Sequence, residues 1–203
     1  MFYYCQKLTS LNLISFNTGE VRSMMTMFGN CYSLEYLNQN FDTIKVKNMG
    51  RIFMDCNSLT SLDVSKFKTN NVDRMDSIFQ NCYKLTSLDL SNWTTANVVA
   101  MGTMFENCYS LKMLDFSSFR TNNVESMYNM FKNCTSLTSL DLSNFDIDNV
   151  GDMDNMFRNC TSLTNINLRN FVGKRIVRMK SMLENCNKLT SLDLPYFEQN
   201  LHI

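Results

Sequence analysis

The chain has 203 residues, with 19 lysines and arginines against 19 aspartates and glutamates, and 44% of it is apolar. Balanced charge supplies no field to hold nucleic acid or an anionic membrane, and this apolar share is that of an ordinary folded chain. With one histidine, His202, one proline and six glycines, histidine base catalysis, a histidine-ligated zinc and a glycine-rich phosphate loop all lack their residues. No catalytic residue, cofactor or metal is therefore expected. No apolar run nears the ~20 residues that span a bilayer. Residues 1–7 lack the basic-then-apolar order of a signal peptide.

The eight cysteines, Cys5, Cys31, Cys56, Cys82, Cys108, Cys134, Cys160 and Cys186, recur every 26 residues, with one interval of 25 between Cys31 and Cys56. From Cys82 the apolar landmarks run Leu85, Leu88, Leu90, Trp93, Val98, Met101, Met104 and Phe105. From Cys134 the same phase gives Leu137, Leu140, Leu142, Phe145, Val150, Met153, Met156 and Phe157. The short unit loses its residue between Leu37 and Phe41, which shortens the turn there. One repeat of fixed length over the whole chain predicts a single domain, residues 1–203, with no internal linker.

Each unit has two halves. The first ends in a period-two alternation, as in Leu88-Asp89-Leu90, which predicts a short strand. The second places Val98, Met101, Met104, Phe105, Cys108 and Leu111 on one face of a predicted helix of about three turns. Asn71, Asn97, Asn123 and Asn149 precede the valine and are expected to cap that helix. Neither half buries its apolar face alone, so units are expected to stack, strands forming a parallel sheet at ~4.8 Å spacing. Helices need ~8–10 Å between axes, so the stack is expected to curve with its strands on the concave side. Pro195 in the last strand removes a ladder donor and predicts a sheet edge.

The inward phases assign Met24, Met27, Met49, Met75, Met101, Met104, Met127, Met130, Met153, Met156, Met179 and Met182 to the core. An aromatic row, Phe16, Phe41, Phe67, Trp93, Phe119, Phe145, Phe171 and Phe197, is expected below the sheet. The cysteines share one helical position, which at helix spacing sets neighbours ~8–10 Å apart, beyond the ~7 Å that a disulfide spans. They read as small buried free thiols.

Alternation on the strand turns the residues five, seven and nine after each cysteine outward. Position seven holds Asn12, Asn38, Asp63, Asp89, Asp115, Asp141, Asn167 and Asp193. Position five is mostly serine, with Tyr36, Met113 and Asn165 departing from it, and Arg169 departs at position nine. Three readings stand for this face. It is a solvated polar surface, or a binding strip for protein, cationic or polyhydroxyl ligands, or a carboxylate-based glycan-active site. Catalysis needs two carboxylates in different environments, and here every unit repeats the same one. Lys45, Lys47 and Arg51, and Lys174, Arg175, Arg178 and Lys180, read as solvated charge.

The phrase L-x-x-L-x-L is the leucine-rich-repeat strand signature. The longer phrase NCTSLTSLDLSNFDIDNVGDMDNMF, matched from Cys134 to Phe157, resembles the BspA-like leucine-rich surface proteins and their 26-residue repeat. The resemblance covers about seven and a half units. It implies an α/β leucine-rich-repeat solenoid with short parallel strands on the concave side and helices on the convex side. It also implies a non-catalytic, surface-exposed or secreted module for adhesion or for binding a host or partner protein. The free cysteines and the absent signal pattern fit an alternative, a cytoplasmic protein-interaction scaffold. The chain departs from common leucine-rich repeats in carrying an aromatic, as in Phe67, Trp93 and Phe145, where they carry asparagine. An aromatic ladder is thus expected in place of an asparagine ladder. On this reading the partner-binding residues are Asp63, Asp89, Asp115, Asp141, Asp193, Tyr36, Met113, Asn165 and Arg169.

Overall fold

A computed structural model describes residues 1–193. Pro195 and Phe197 lie outside the described residues. The alternation predicts a strand in every unit, and five form: β1 (Ser10–Leu13), β2 (Tyr36–Gln39), β3 (Ser139–Asp141), β4 (Asn165–Asn167) and β5 (Ser191–Asp193). Units three to five, Leu88-Asp89-Leu90 among them, form none, so the expected continuous sheet is two separate ones. β1 pairs with β2, and β4 lies between β3 and β5, all in parallel. The register steps by one unit, so Leu140 pairs with Ile166 and Ile166 with Leu192. Consecutive units therefore stack directly on one another.

The second half of each unit is not a helix, and no helix occurs among the described residues. Two residues per unit take positive φ, such as Thr103 (57°) and Asn107 (62°), and the pair recurs at Asn129 and Asn133 and at Asn155 and Asn159. Left-handed residues every four positions prevent a right-handed helical run. Alternate amides point at the next unit instead. From unit four to unit five, Met101, Thr103, Phe105 and Asn107 donate to the carbonyls of Ser126, Tyr128, Met130 and Lys132, at 3.4, 2.8, 2.9 and 2.8 Å. Glu125 returns a bond to Val99 at 3.0 Å. The same pattern joins every pair of successive units from the first to the seventh, and parallel bridges run unbroken from Ser23 to Arg178. The amides between them close four-residue turns, as Glu106 does onto Thr103 at 3.2 Å. Inward residues three apart suit such a chain of turns as well as a helix, which is why the spacing misled.

Two expectations fall with the helix. Asn97, Asn123 and Asn149 cap nothing; each donates its side-chain amide to a carbonyl of the preceding unit, at Asn70, Ala96 and Asn122, over 2.7, 2.7 and 2.6 Å. Curvature toward a concave strand side also loses its ground. It required wide helices opposite narrow strands, and the side expected to be helical steps at β-type spacing through its bridges.

The core is repetitive. All twelve methionines assigned inward are buried, as are Phe41, Phe67, Trp93, Phe119, Phe145 and Phe171, whereas Phe16 is 37% exposed. A second aromatic column went unread in the sequence. Phe28, Phe53, Phe79, Phe105, Phe131 and Phe157 stack with centroids 5.5–5.9 Å apart and planes within 17°. Beside it runs a ladder of buried threonines. The Thr95 hydroxyl donates to the carbonyl of Arg120 (2.7 Å) and accepts from its amide (2.8 Å), and Thr43, Thr69 and Thr121 repeat this. Polar groups that burial would otherwise orphan are thus satisfied between units.

Asparagine forms a ladder after all, one residue before each cysteine. Asn185, Asn159, Asn133, Asn107 and Asn81 each donate to the side chain one unit earlier, ending on Asp55, over 2.6–2.7 Å. These positions have φ near 62°, where asparagine is the best-tolerated residue after glycine. The ladder lies at a different position from the expected aromatic ladder, which is itself present, Phe67 stacking on Trp93 and Phe119 on Phe145. The asparagine before most cysteines was a signal for both the left-handed turn and the ladder.

Candidate functional site

Positions five and seven face out, as alternation requires. Ser61, Asp63, Ser87, Asp89, Met113, Asp115, Ser139, Asp141 and Asn165 are exposed. Tyr36 opens β2 and is 59% exposed, and Met113 is 71% exposed. Asn165 opens β4 and the exposed Arg169 follows it. Asp193 ends β5. The structure thus brings Asp63, Asp89, Asp115 and Asp141 into one file, while Asn165 and Arg169 belong to a separate stretch of the same face around β4.

Each carboxylate of the file holds its own backbone. Asp63 accepts from the amide and hydroxyl of Ser65 at 3.0 and 2.6 Å, and Asp89 does the same with Ser91 at 3.0 and 2.6 Å. Asp115 and Asp141 accept from the amides of Ser117 (2.8 Å) and Ser143 (2.9 Å). The serine hydroxyl, then its amide, hold the carboxyls of Asp63, Asp89 and Asp141 below the ordinary 3.8. Hydrogen bonding to the charged form is the dominant cause, and burial opposes it weakly. All three shifts run downward, so none of these groups is set up as a proton donor near neutral pH.

None of the ion pairs among the described residues involves this file. Of the basic groups expected to be merely solvated, Lys45, Arg51, Lys174 and Arg178 are paired across units, whereas Lys47, Arg175 and Lys180 enter no ion pair among the described residues. Lys45 meets Glu20 at 2.5 Å, Lys174 meets Asp148 at 2.5 Å, and Arg178 reaches Asp152 and Asp154 at 3.3 and 2.5 Å. No group of three or more possible metal ligands occurs among the described residues.

The strand face is open in its middle. No backbone hydrogen bond joins residues 61–64 to 87–90, or 87–90 to 113–116, although the units stay bonded on their other side. Side chains take the carbonyls instead. Gln39 donates to Asp63 (2.7 Å), Trp93 to Val64 (3.2 Å), Ser118 to Leu90 (3.3 Å) and Asn144 to Phe116 (2.7 Å). Two adjoining clefts follow, one from Tyr36 to Asp89 and one from Thr86 to Asp141. Sequence reading gave no hint of them, because units three to five keep the outward and inward alternation even where Val64 and Phe116 replace the last leucine of the phrase.

The cysteines are free, with Cys31, Cys56, Cys82, Cys108, Cys134 and Cys160 buried. The distance argument against disulfides fails, since units step at strand spacing. The thiols are held differently: each from Cys31 to Cys186 donates to the carbonyl of a phenylalanine in the preceding unit over 3.1–3.3 Å.

A leucine strand phrase repeated in register, with its polar residues displayed in file, defines a leucine-rich-repeat protein. The chain belongs to the family described as "Mycoplasma protein of unknown function, DUF285", which matches over residues 1–113 and 84–195. No curated protein matches. Two solved structures are similar to it. One is a leucine-rich cell surface protein from Faecalibacterium prausnitzii, at 18% identity over 96% of this chain and 62% of that one, with a TM-score of 0.39. The other is a leucine-rich-repeat protein from Bacteroides ovatus, at 20% identity over 96% of this chain and 69% of that one, with a TM-score of 0.28. The chain thus spans less than two thirds of the length of the first. No helix among the described residues is long and apolar enough to cross a membrane.

Proposed function

We propose that the chain is a non-catalytic interaction module of a cell-surface or secreted protein, a solenoid that binds a partner protein through its exposed strand face. The observation that carries this is the file Asp63, Asp89, Asp115 and Asp141. It is displayed to solvent, takes part in no salt bridge among the described residues, and each of its carboxylates accepts from the backbone amide two residues on. The resolved shifts at Asp63, Asp89 and Asp141 all run the same way, so these carboxylates are not split into acid and base, which speaks for recognition over catalysis. Repeat proteins use extended faces of this kind for binding.

The test is capture of partners from host and source-cell extracts by the full chain, compared with Tyr36→Ala, Met113→Ala, Asn165→Ala and Arg169→Ala variants. The reading expects at least one substitution to lose the partner; retention by all four moves the interface to another face. A second reading, an intracellular scaffold, draws on the free buried thiols. Surface labelling of intact cells separates the two: a chain shielded from a membrane-impermeant amine reagent is intracellular.

A further inference from the structure

We propose that units two to five form a cleft for a short extended peptide segment, apolar at both ends and cationic between them, lying across the strands. This rests on the reading that the strand face binds protein, and it names the place and the chemistry.

Four observations converge there. First, the backbone of residues 61–64, 87–90 and 113–116 lacks the inter-unit bonds made by β1–β2 and β3–β5. Side chains take the carbonyls of Asp63, Val64, Leu90 and Phe116, and the exposed backbone groups left without a protein partner must find one in water or in a ligand. Second, Tyr36 and Met113 occupy the same strand position in units two and five and stand out at 59% and 71% exposure, with only Ser61 and Ser87 between them. Three unit steps make the interval ~14 Å, about four residues of extended chain. Third, Leu88 and Leu114 on the floor are only partly buried. Fourth, Asp63, Asp89 and Asp115 line the cleft beside the serines. Among the described residues no lysine or arginine pairs with them, whereas Glu106, Asp148, Asp152, Asp154 and Glu184 are paired. Lys112 stands at the rim of the second cleft.

Charge decides the occupant. Lys66 lies near Asp63 and Arg169 near Asp141, but no salt bridge among the described residues engages the file, and such a row favours lysine or arginine from a partner and repels an acidic or phosphorylated segment. The two exposed apolar side chains favour a bulky residue at each end.

The experiment titrates the full chain with acetylated, amidated Leu-Lys-Ser-Lys-Leu by calorimetry, at low and at moderate salt. Saturable binding that weakens with salt is expected, and none for the same peptide with glutamate in place of lysine. Asp63→Asn with Asp89→Asn should weaken binding about tenfold. Asparagine keeps the fold there, since Asn12 and Asn167 make the same turn to the amides of Ile14 and Arg169, at 3.3 and 3.2 Å. Tyr36→Ala and Met113→Ala should each weaken it, whereas Asn165→Ala and Arg169→Ala should not. No saturable binding, equal binding of the glutamate peptide, or equal loss from Asn165→Ala overturns the cleft. If partner capture depends on Asn165 or Arg169 but not on Tyr36 or Met113, the face still binds and the cleft is wrong. If the peptide binds as described while capture ignores all four residues, the cleft stands and the larger reading falls.

Discussion

The thiol of Cys108 donates to the carbonyl of Phe79, 3.1 Å away in the preceding unit, and the ring of Phe79 stacks on that of Phe105 three residues before Cys108. Phe79 is thus tied twice to the turn stacked on it, by the bond from Cys108 and by the ring of Phe105. The recurrence of both down the chain explains why Met-Phe and cysteine keep a fixed interval.

The buried thiols predict a steep alkaline limit. Burial pushes the thiols of Cys56, Cys82 and Cys108 well above 9.0, and that of Cys134 to about 12. A raised folded-state value means the folded chain holds protons that the unfolded chain releases. Stability from these groups is full below pH 9.0 and is lost as pH rises from there toward 12 and above. Denaturant melts between pH 8 and 11 should show the midpoint falling. At pH 8 a thiol reagent should modify Cys5 and Cys186, the two half-exposed cysteines, long before the others.

Asp55 interrupts a row of asparagines, yet restoring asparagine there should destabilise the chain. Asp55 accepts from Asn30 at 3.0 Å on one side and from Asn81 at 2.6 Å on the other. An amide cannot accept from both while its own N–H₂ faces a donor. Asp55→Asn should therefore cost about 1–3 kcal/mol, the range for an unmet buried bond. Adding Asn30→Asp lets the whole ladder run one way and should recover most of it. Thermal melts of the two single variants and the double give the coupling.

The strand-face carboxylates predict an acid limit of the opposite sign. Asp63, Asp89 and Asp141 are held below 3.8 by their serines, so their contribution is present above that value and fades as pH falls through the lower folded value. Ser91→Ala should raise the Asp89 titration toward 3.8 and leave Asp141 unmoved. Carbon-detected NMR titration of the side-chain carboxyls reads both.

Phe105 lies fully buried between Phe79 and Phe131, with centroids 5.6 and 5.7 Å away. Phe105→Ala should cost about 3–5 kcal/mol, as for other buried phenylalanines. Phe16→Ala, at a ring 37% exposed, should cost about 1 kcal/mol or less. Urea midpoints compare them, and equal losses would contradict the core assignment.

Much of the site was legible because strand alternation is a local property. Tyr36, Met113, Asp63, Asp89 and Asp115 face out on a period-two argument alone, and the inward methionines follow from phase. The helix was misread because residues three apart serve a turn chain as well as a helix, and no local pattern separates the two. Asn107 and Asn133, in left-handed turns before their cysteines, carried the missing clue.

By itself the sequence determined the unit length, the stacking of units and the outward set of residues, since a 26-residue repeat fixes which side chains meet their own copies. Only the tertiary structure decided which backbone groups pair between units. It turned the second half of each unit toward its neighbour and left residues 61–64, 87–90 and 113–116 open. Hydrogen-bond partners one unit away lie 26 residues along the chain, where no local preference reaches, and the choice among them rests on how whole units pack.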